Sequence, residues 1–110
     1  MARDPGLEQV VREYLGELDG LSETTMFGGR AWLLHGNLLC GARDEGILAR
    51  LGAGNDGWAV ATPGVAQMTM GQRVMSGWVR ASQDICGDDA LRAKLLDAAL
   101  AFVRTLPPKD

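Results

Sequence analysis

The residues of this chain that could do chemistry gather in one stretch, TTMFGGRAWLLHGNLLCGAR, residues 24–43. It holds the single histidine, His35, one of two cysteines, Cys40, and a glycine pair followed by Arg30. Each invites a hypothesis. A Cys–His pair can form a nucleophile and its base. Paired glycines beside an arginine can cradle an anion. Two cysteines with one histidine, however, cannot by themselves supply the four closely spaced ligands of a structural zinc site, and no carboxylate spacing completes one. No metal or cofactor is assigned.

The nucleophile hypothesis depends on register. RAWLLH and LLCGAR flank Gly36-Asn37, which reads as a two-residue hairpin turn. That turn pairs His35 with Leu38, Leu33 with Cys40 and Trp32 with Gly41. His35 and Cys40 then become diagonal neighbours, about 7–8 Å apart between backbone positions. A cysteine between Leu39 and Gly41 in an apolar strand nevertheless reads as a small buried hydrophobe. No serine lies in a G-x-S-x-G setting. The acidic pairs Asp44-Glu45 and Asp88-Asp89 are accounted for by turns and caps. No catalytic residue is assigned, and the chain reads as non-enzymatic.

The anion hypothesis also weakens. FGGR lacks the spacing of a phosphate loop and leads into a strand rather than a helix. The glycines read as a bulge or bend that lets backbones approach. A weaker ligand site remains assigned to a groove near Arg30 and Arg73.

The elements that must position these residues follow from periodicity. Asp4 caps a first helix with Pro5 in its first turn. Leu7, Val10, Val11, Tyr14, Leu15 and Leu18 form its stripe, and Gly20 ends it. The hairpin follows, then a strand over Ile47–Leu51, a loop at 52–57, and an ambiguous segment GWAVATPG. VAQMTM and RVMSGWVRA form a second hairpin through Gly71-Gln72. A final helix begins at Asp88-Asp89, carries Leu91, Leu95, Ala98, Ala99, Phe102, Val103 and Leu106, and stops at Pro107-Pro108.

The expected fold is α+β: a bent antiparallel sheet of about five strands with an N-terminal and a C-terminal helix packed on it, one domain over 1–110. The first hairpin is apolar on both faces, Trp32, Leu34, Leu39 and Gly41 on one and Ala31, Leu33, His35, Leu38, Cys40 and Ala42 on the other. A hairpin with one wet face alternates instead. We therefore expect helices on one side and a partner, a second copy of the chain, on the other. Of Met26, Met68, Met70 and Met75, about three are expected in the core and at least one at an interface.

Bulk numbers exclude several classes. The 110 residues carry a net charge of −3 and no run of basic residues, which argues against nucleic acid. No apolar run reaches the roughly 20 residues that span a membrane, and MARDPGLEQVV is not a signal peptide. A cytoplasmic protein with reduced thiols is expected.

Taken in order, MFGG at 26–29, HGNLLCG at 35–41, PGV at 63–65, Met68, GQRVMSGWV at 71–79 and ALAFVRTLPPK at the end resemble the N-terminal domain of the bacterial TfoX family. The resemblance spans most of the chain. It implies a strongly bent antiparallel sheet with packed helices, and it offers no catalytic residues. It implies fold-defining roles for Met26, Phe27, Gly28, Gly29, Gly36, Gly41, Arg73, Met75 and Gly77. Full-length members carry a second, helical domain and regulate competence for DNA uptake. This chain ends at Asp110, so a stand-alone domain is expected. The resemblance implies a regulatory or interaction role, with a transcription-related one as the alternative by analogy.

Overall fold

The computed structural model describes residues 4–26 and 29–108, apart from the side chains of Met26, Met70 and Ile85. Phe27 and Gly28 of the expected glycine bend, and the Met26 side chain, lie outside the described residues. The element order is α1 (Pro5–Leu15), β1 (Leu21–Met26), β2 (Gly29–Leu34), β3 (Asn37–Arg43), β4 (Gly46–Arg50), α2 (Gly57–Val60), β5 (Val65–Met70), β6 (Arg73–Ala81), α3 (Gln83–Cys86) and α4 (Asp89–Val103). All six strands join one antiparallel sheet in the order β1-β2-β3-β4-β6-β5. The α+β class and the terminal helices match expectation. Among the described residues there are six strands rather than about five, because LSETTM pairs with β2 along its whole length. The ambiguous GWAV segment is a single helical turn.

The helix ends are set by local chemistry. Asp4 accepts a hydrogen bond from the Leu7 amide at 3.1 Å, which satisfies one orphan donor of α1. Asp88 does the same for Leu91 in α4. The first helix stops at Gly16, whose φ of 63° and amide bond to the Arg12 carbonyl close it earlier than Gly20. The buried face of α4 is also broader than its expected stripe. Leu96 and Leu100 are buried with Leu95, Ala99 and Val103.

One face of the sheet meets these helices. Trp32, Cys40, Ala42, Ile47, Ala49, Val79 and Ala81 join Leu7, Val11 and Leu15 of α1 and the α4 residues in one apolar cluster. Burial of this cluster is the main stabilising term, at about 25 cal/mol per Å² of apolar surface removed from water. Met68 and Met75 are only half-buried and lie outside the cluster, so the expectation of a methionine-rich core fails for both. The flat strand walls are filled instead by branched and small side chains.

The first hairpin corrects the register drawn from sequence. Leu34 pairs with Asn37, so the turn is His35-Gly36. Both turn residues have positive φ, 51° and 82°, as a tight two-residue hairpin requires. Asn37 is instead the first residue of β3, and its side-chain amide donates to the Pro107 carbonyl at 2.9 Å. Between Trp32 and Leu33 the register then slips by one residue. Trp32 faces Cys40, and Ala31 faces Gly41. The expected faces are thus exchanged for half of β3: Cys40 and Ala42 join Trp32, and Gly41 joins Ala31.

A second irregularity bends β6. Its pairing with β5 jumps from Gln67↔Val79 to Thr69↔Val74, which leaves residues 75–78 bulged. Gly77 lies in the bulge with φ 85°, and its carbonyl accepts from the amides of Leu51 and Gly52. A Cβ there would lie 2.4 Å from the Gly52 carbonyl carbon. We expect Gly77→Ala to destabilise the fold by about 3 kcal/mol, combining a strained φ with a backbone clash. Gly54→Ala, with similar φ but nothing within 4 Å, should cost only about 1 kcal/mol. Chemical denaturation of the two variants checks the difference.

Candidate functional site

The helix-free face is organised by a single cross-strand row with one residue from every strand: Thr24, Ala31, Gly41, Leu48, Arg80 and Ala66 in spatial order. Side chains in such a row stand about 5 Å apart on one face. The centre of the row is nearly bare, because Gly41 has no side chain and Ala31 only a methyl. Arg43, two residues along β3 from Gly41, lies on the same face opposite Gly46. Small residues among long ones leave a dent, and the dent is a cavity of about 320 Å³. Its lining includes Ala31, Leu38, Gly41, Leu48, Met68 and the three arginines Arg30, Arg43 and Arg80. Ala31 is 2 % exposed although it is no member of the helix-side cluster. The walls of this cavity, rather than the helices, shield it.

The arginines are held in place by acids. Arg43 Nη2 lies 2.7 Å from Glu45 Oε1, and Arg80 Nη1 lies 3.3 Å from the same oxygen. Arg43 Nε is 3.6 Å from Asp44. The other Arg80 amino group, Nη2, donates to the Met68 sulfur at 3.4 Å. The β3–β4 turn therefore supplies one carboxylate that clamps two guanidiniums. At the other end, Arg30 is 3.3 Å from Glu23 and donates to Thr25 at 3.1 Å. Glu23 also accepts two hydrogen bonds from Arg12 at 2.9 and 2.7 Å. These bonds hold its carboxyl below the usual carboxylate range, with the Arg12 hydrogen bond the largest cause.

The two residues assigned to a ligand groove from sequence part company. Arg30 lines the cavity. Arg73 is exposed at the base of the β5–β6 turn, opposite Met70, and is not among the lining residues. Arg43 and Arg80 take its place. The sequence carried a signal for Arg80: it stands between Val79 and Ala81, so alternation sends it to the face opposite two buried residues. The pairing of β6 with β4, which brings it beside Leu48, had no such signal. Gly29, the described half of the glycine pair, serves close approach: a Cβ there would lie 2.4 Å from the Ala42 carbonyl oxygen.

The proposed His35–Cys40 neighbourhood is also undone by the register. His35 is an exposed turn residue whose amide donates to the Gly20 carbonyl at 2.8 Å. Cys40 faces Trp32 in the core and is fully buried. Burial pushes its thiol up to about 12. Cys86 is buried too, raised mainly by desolvation, and its Sγ lies 3.5 Å from the Ala81 carbonyl. Both are free thiols. Among the described residues no three His, Cys, Asp or Glu side chains cluster as metal ligands would. Among the described residues no helix is long and apolar enough to cross a membrane.

The Cys40 shift fixes a pH dependence. The folded value exceeds the unfolded one of 9.0, so the thiol's contribution to stability is complete below about pH 9. It is lost as pH rises from there toward about 12. Stability measured by denaturant titration should fall across that window, and Cys40→Ala should flatten the decline. The same burial makes Cys40 unreactive to thiol reagents in the native protein at pH 8, with labelling limited by unfolding.

No curated protein and no solved structure gives a significant match to the chain. The family model for the TfoX N-terminal domain matches residues 13–103. That span runs from the last turn of α1 to the end of α4 and contains all six strands and every residue lining the cavity. The chain therefore belongs to the TfoX N-terminal domain family.

Proposed function

We propose that this domain is a non-catalytic, cytosolic binding module of regulatory type, and that it recognises its partner through the helix-free face of the sheet. The observation that carries this reading is the arginine-rimmed cavity of about 320 Å³ at the centre of that face. Concave, largely apolar sites with a few convergent polar groups are the usual form of a small-molecule recognition site. The state of the reactive side chains supports recognition over catalysis. Both thiols are buried and shifted toward the protonated form, and the one histidine is a turn residue.

A second reading, self-association into a homodimer, draws on a different feature. Val74 on β6 is 53 % exposed, and β5 beside it pairs with only one neighbour. An unpaired edge next to an exposed apolar residue is a template for a second strand. In light scattering over a range of concentrations, a mass that doubles and reverts in Val74→Lys supports this reading. A monomer at every concentration removes it.

The recognition face has its own test. The full chain is used to capture its partner from native extract beside Arg43→Ala/Arg80→Ala and beside Arg104→Ala, an exposed site at the end of α4. Circular dichroism confirms that each variant folds. The partner should be retained by Arg104→Ala and lost by the double variant. Equal capture by all three proteins overturns the assignment of the helix-free face.

A further inference from the structure

The geometry points to the cavity on the helix-free face as a site for a small amphipathic carboxylate: its head on the Arg43–Arg80 pair, its apolar body over Ala31, Gly41 and Leu48. This inference rests on the reading of that face as the recognition surface and names the ligand class.

The head-group assignment comes from Glu45. Two guanidiniums from different strands converge on one of its carboxylate oxygens, at 2.7 and 3.3 Å. Two arginines preset around one carboxylate oxygen form a charge-assisted carboxylate site. The occupant of that site is loosely held. Glu45 belongs to the two-residue turn between β3 and β4, and its side chain is 53 % exposed. An incoming carboxylate can displace it into water, where a free glutamate loses little. The arginines themselves are less exposed. Their side chains are 31 % and 28 % exposed, and Arg80 is pinned on its other amino group by Met68.

The apolar half of the ligand follows from the row beneath. Gly41 and Ala31 leave the floor without side-chain bulk, Leu48 and Leu38 offer apolar walls, and Met68 forms the far side. Methionine adapts its shape to an occupant at small cost. The volume, about 320 Å³, is at the small end of ligand sites, which run about 300–1,000 Å³. It suits a compact acid rather than a nucleotide. The local charges at the head site also favour a single negative charge: Arg43 and Arg80 face Asp44 and Glu45, while Arg30 shares Glu23 with Arg12. A monoanion that displaces Glu45 restores the balance, whereas a phosphate dianion adds a charge with no further cation to meet it.

The test is a titration of the full chain followed by amide resonances, with hexanoate, 1-hexanol and inorganic phosphate as probes. Hexanoate should give saturable shifts at Ala31, Gly41 and Leu48, with weaker shifts from hexanol and none from phosphate. Glu45→Gln removes the competing charge at an exposed turn and should tighten hexanoate binding about tenfold. Arg80→Ala should weaken it about tenfold, the scale of one charge-assisted hydrogen bond. Gly41→Ala narrows the floor, its Cβ 3.2 Å from the Arg30 carbonyl oxygen, and should weaken hexanoate while leaving the Arg43 and Arg80 side chains in place. Absence of saturable shifts even in Glu45→Gln overturns the assignment, as does equal affinity in wild type and Arg80→Ala. Saturation by phosphate alone overturns it as well. Loss of the protein partner in the Arg43→Ala/Arg80→Ala variant, with no hexanoate binding, would retain the recognition face and reject the carboxylate.

Discussion

A slip of one residue between β2 and β3 sets the side of the sheet on which the chemistry-bearing residues lie. Strand side chains alternate, so one extra residue exchanges every face beyond it. Leu33 opposes Leu38, but Trp32 opposes Cys40, and Leu39 is the residue left over. Had the first register continued, Cys40 would share a face with Ala31. With the slip, Cys40 and Ala42 turn toward α1 and α4, and Gly41 and Arg43 turn away. The apolar core gains a small thiol beside its cross-strand partner Trp32. The opposite face gains a glycine at its centre and an arginine at its rim. Core and cavity are therefore two consequences of one bulge.

The opposite face is wetted without being stripped of apolar surface. Arg43 and Arg80 line the cavity together with Ala31 and Leu48 and keep their charged ends at Glu45. Long cationic side chains commonly cover apolar surface in this way. Surface ion pairs of this kind stabilise a fold by about 0–1 kcal/mol each. Their value here is positional: they hold two guanidiniums at a shared point beside an apolar dent. A weakly held carboxylate at that point makes a site that a competing acid can enter.

The bulge in β6 plays a comparable part at the other end of the sheet. Gly77 brings β6 against Gly52, where both Leu51 and Gly52 donate to its carbonyl. The resulting bend lets β5 curl so that Met68 and Thr69 reach the cavity that β2, β3 and β4 floor. Arg50, opposite Trp78 in the register, lies 5.3 Å from that ring and 5.6 Å from the Phe102 ring, tying the bend to α4. Such cation–π contacts contribute about 0.5–1 kcal/mol when exposed.

The sequence by itself determined the class of the fold, the two terminal helices with their aspartate caps, the second hairpin and the family. Those features are written in local signals: periodicity, capping residues, turn dipeptides and ordered motifs. It also placed Arg80 on the face opposite Val79 and Ala81. It did not show β1, whose LSETTM is polar because an edge strand needs little apolar surface. Nor could it decide between His35-Gly36 and Gly36-Asn37 as the turn, since both dipeptides suit one, and that choice moves every partner by two residues. The site itself belongs to tertiary structure alone. Arg43 and Arg80 are far apart in sequence and meet at Glu45 only because β6 pairs with β4 across a bulged sheet. No local preference encodes that pairing; it is fixed by which faces can be buried together against α1 and α4.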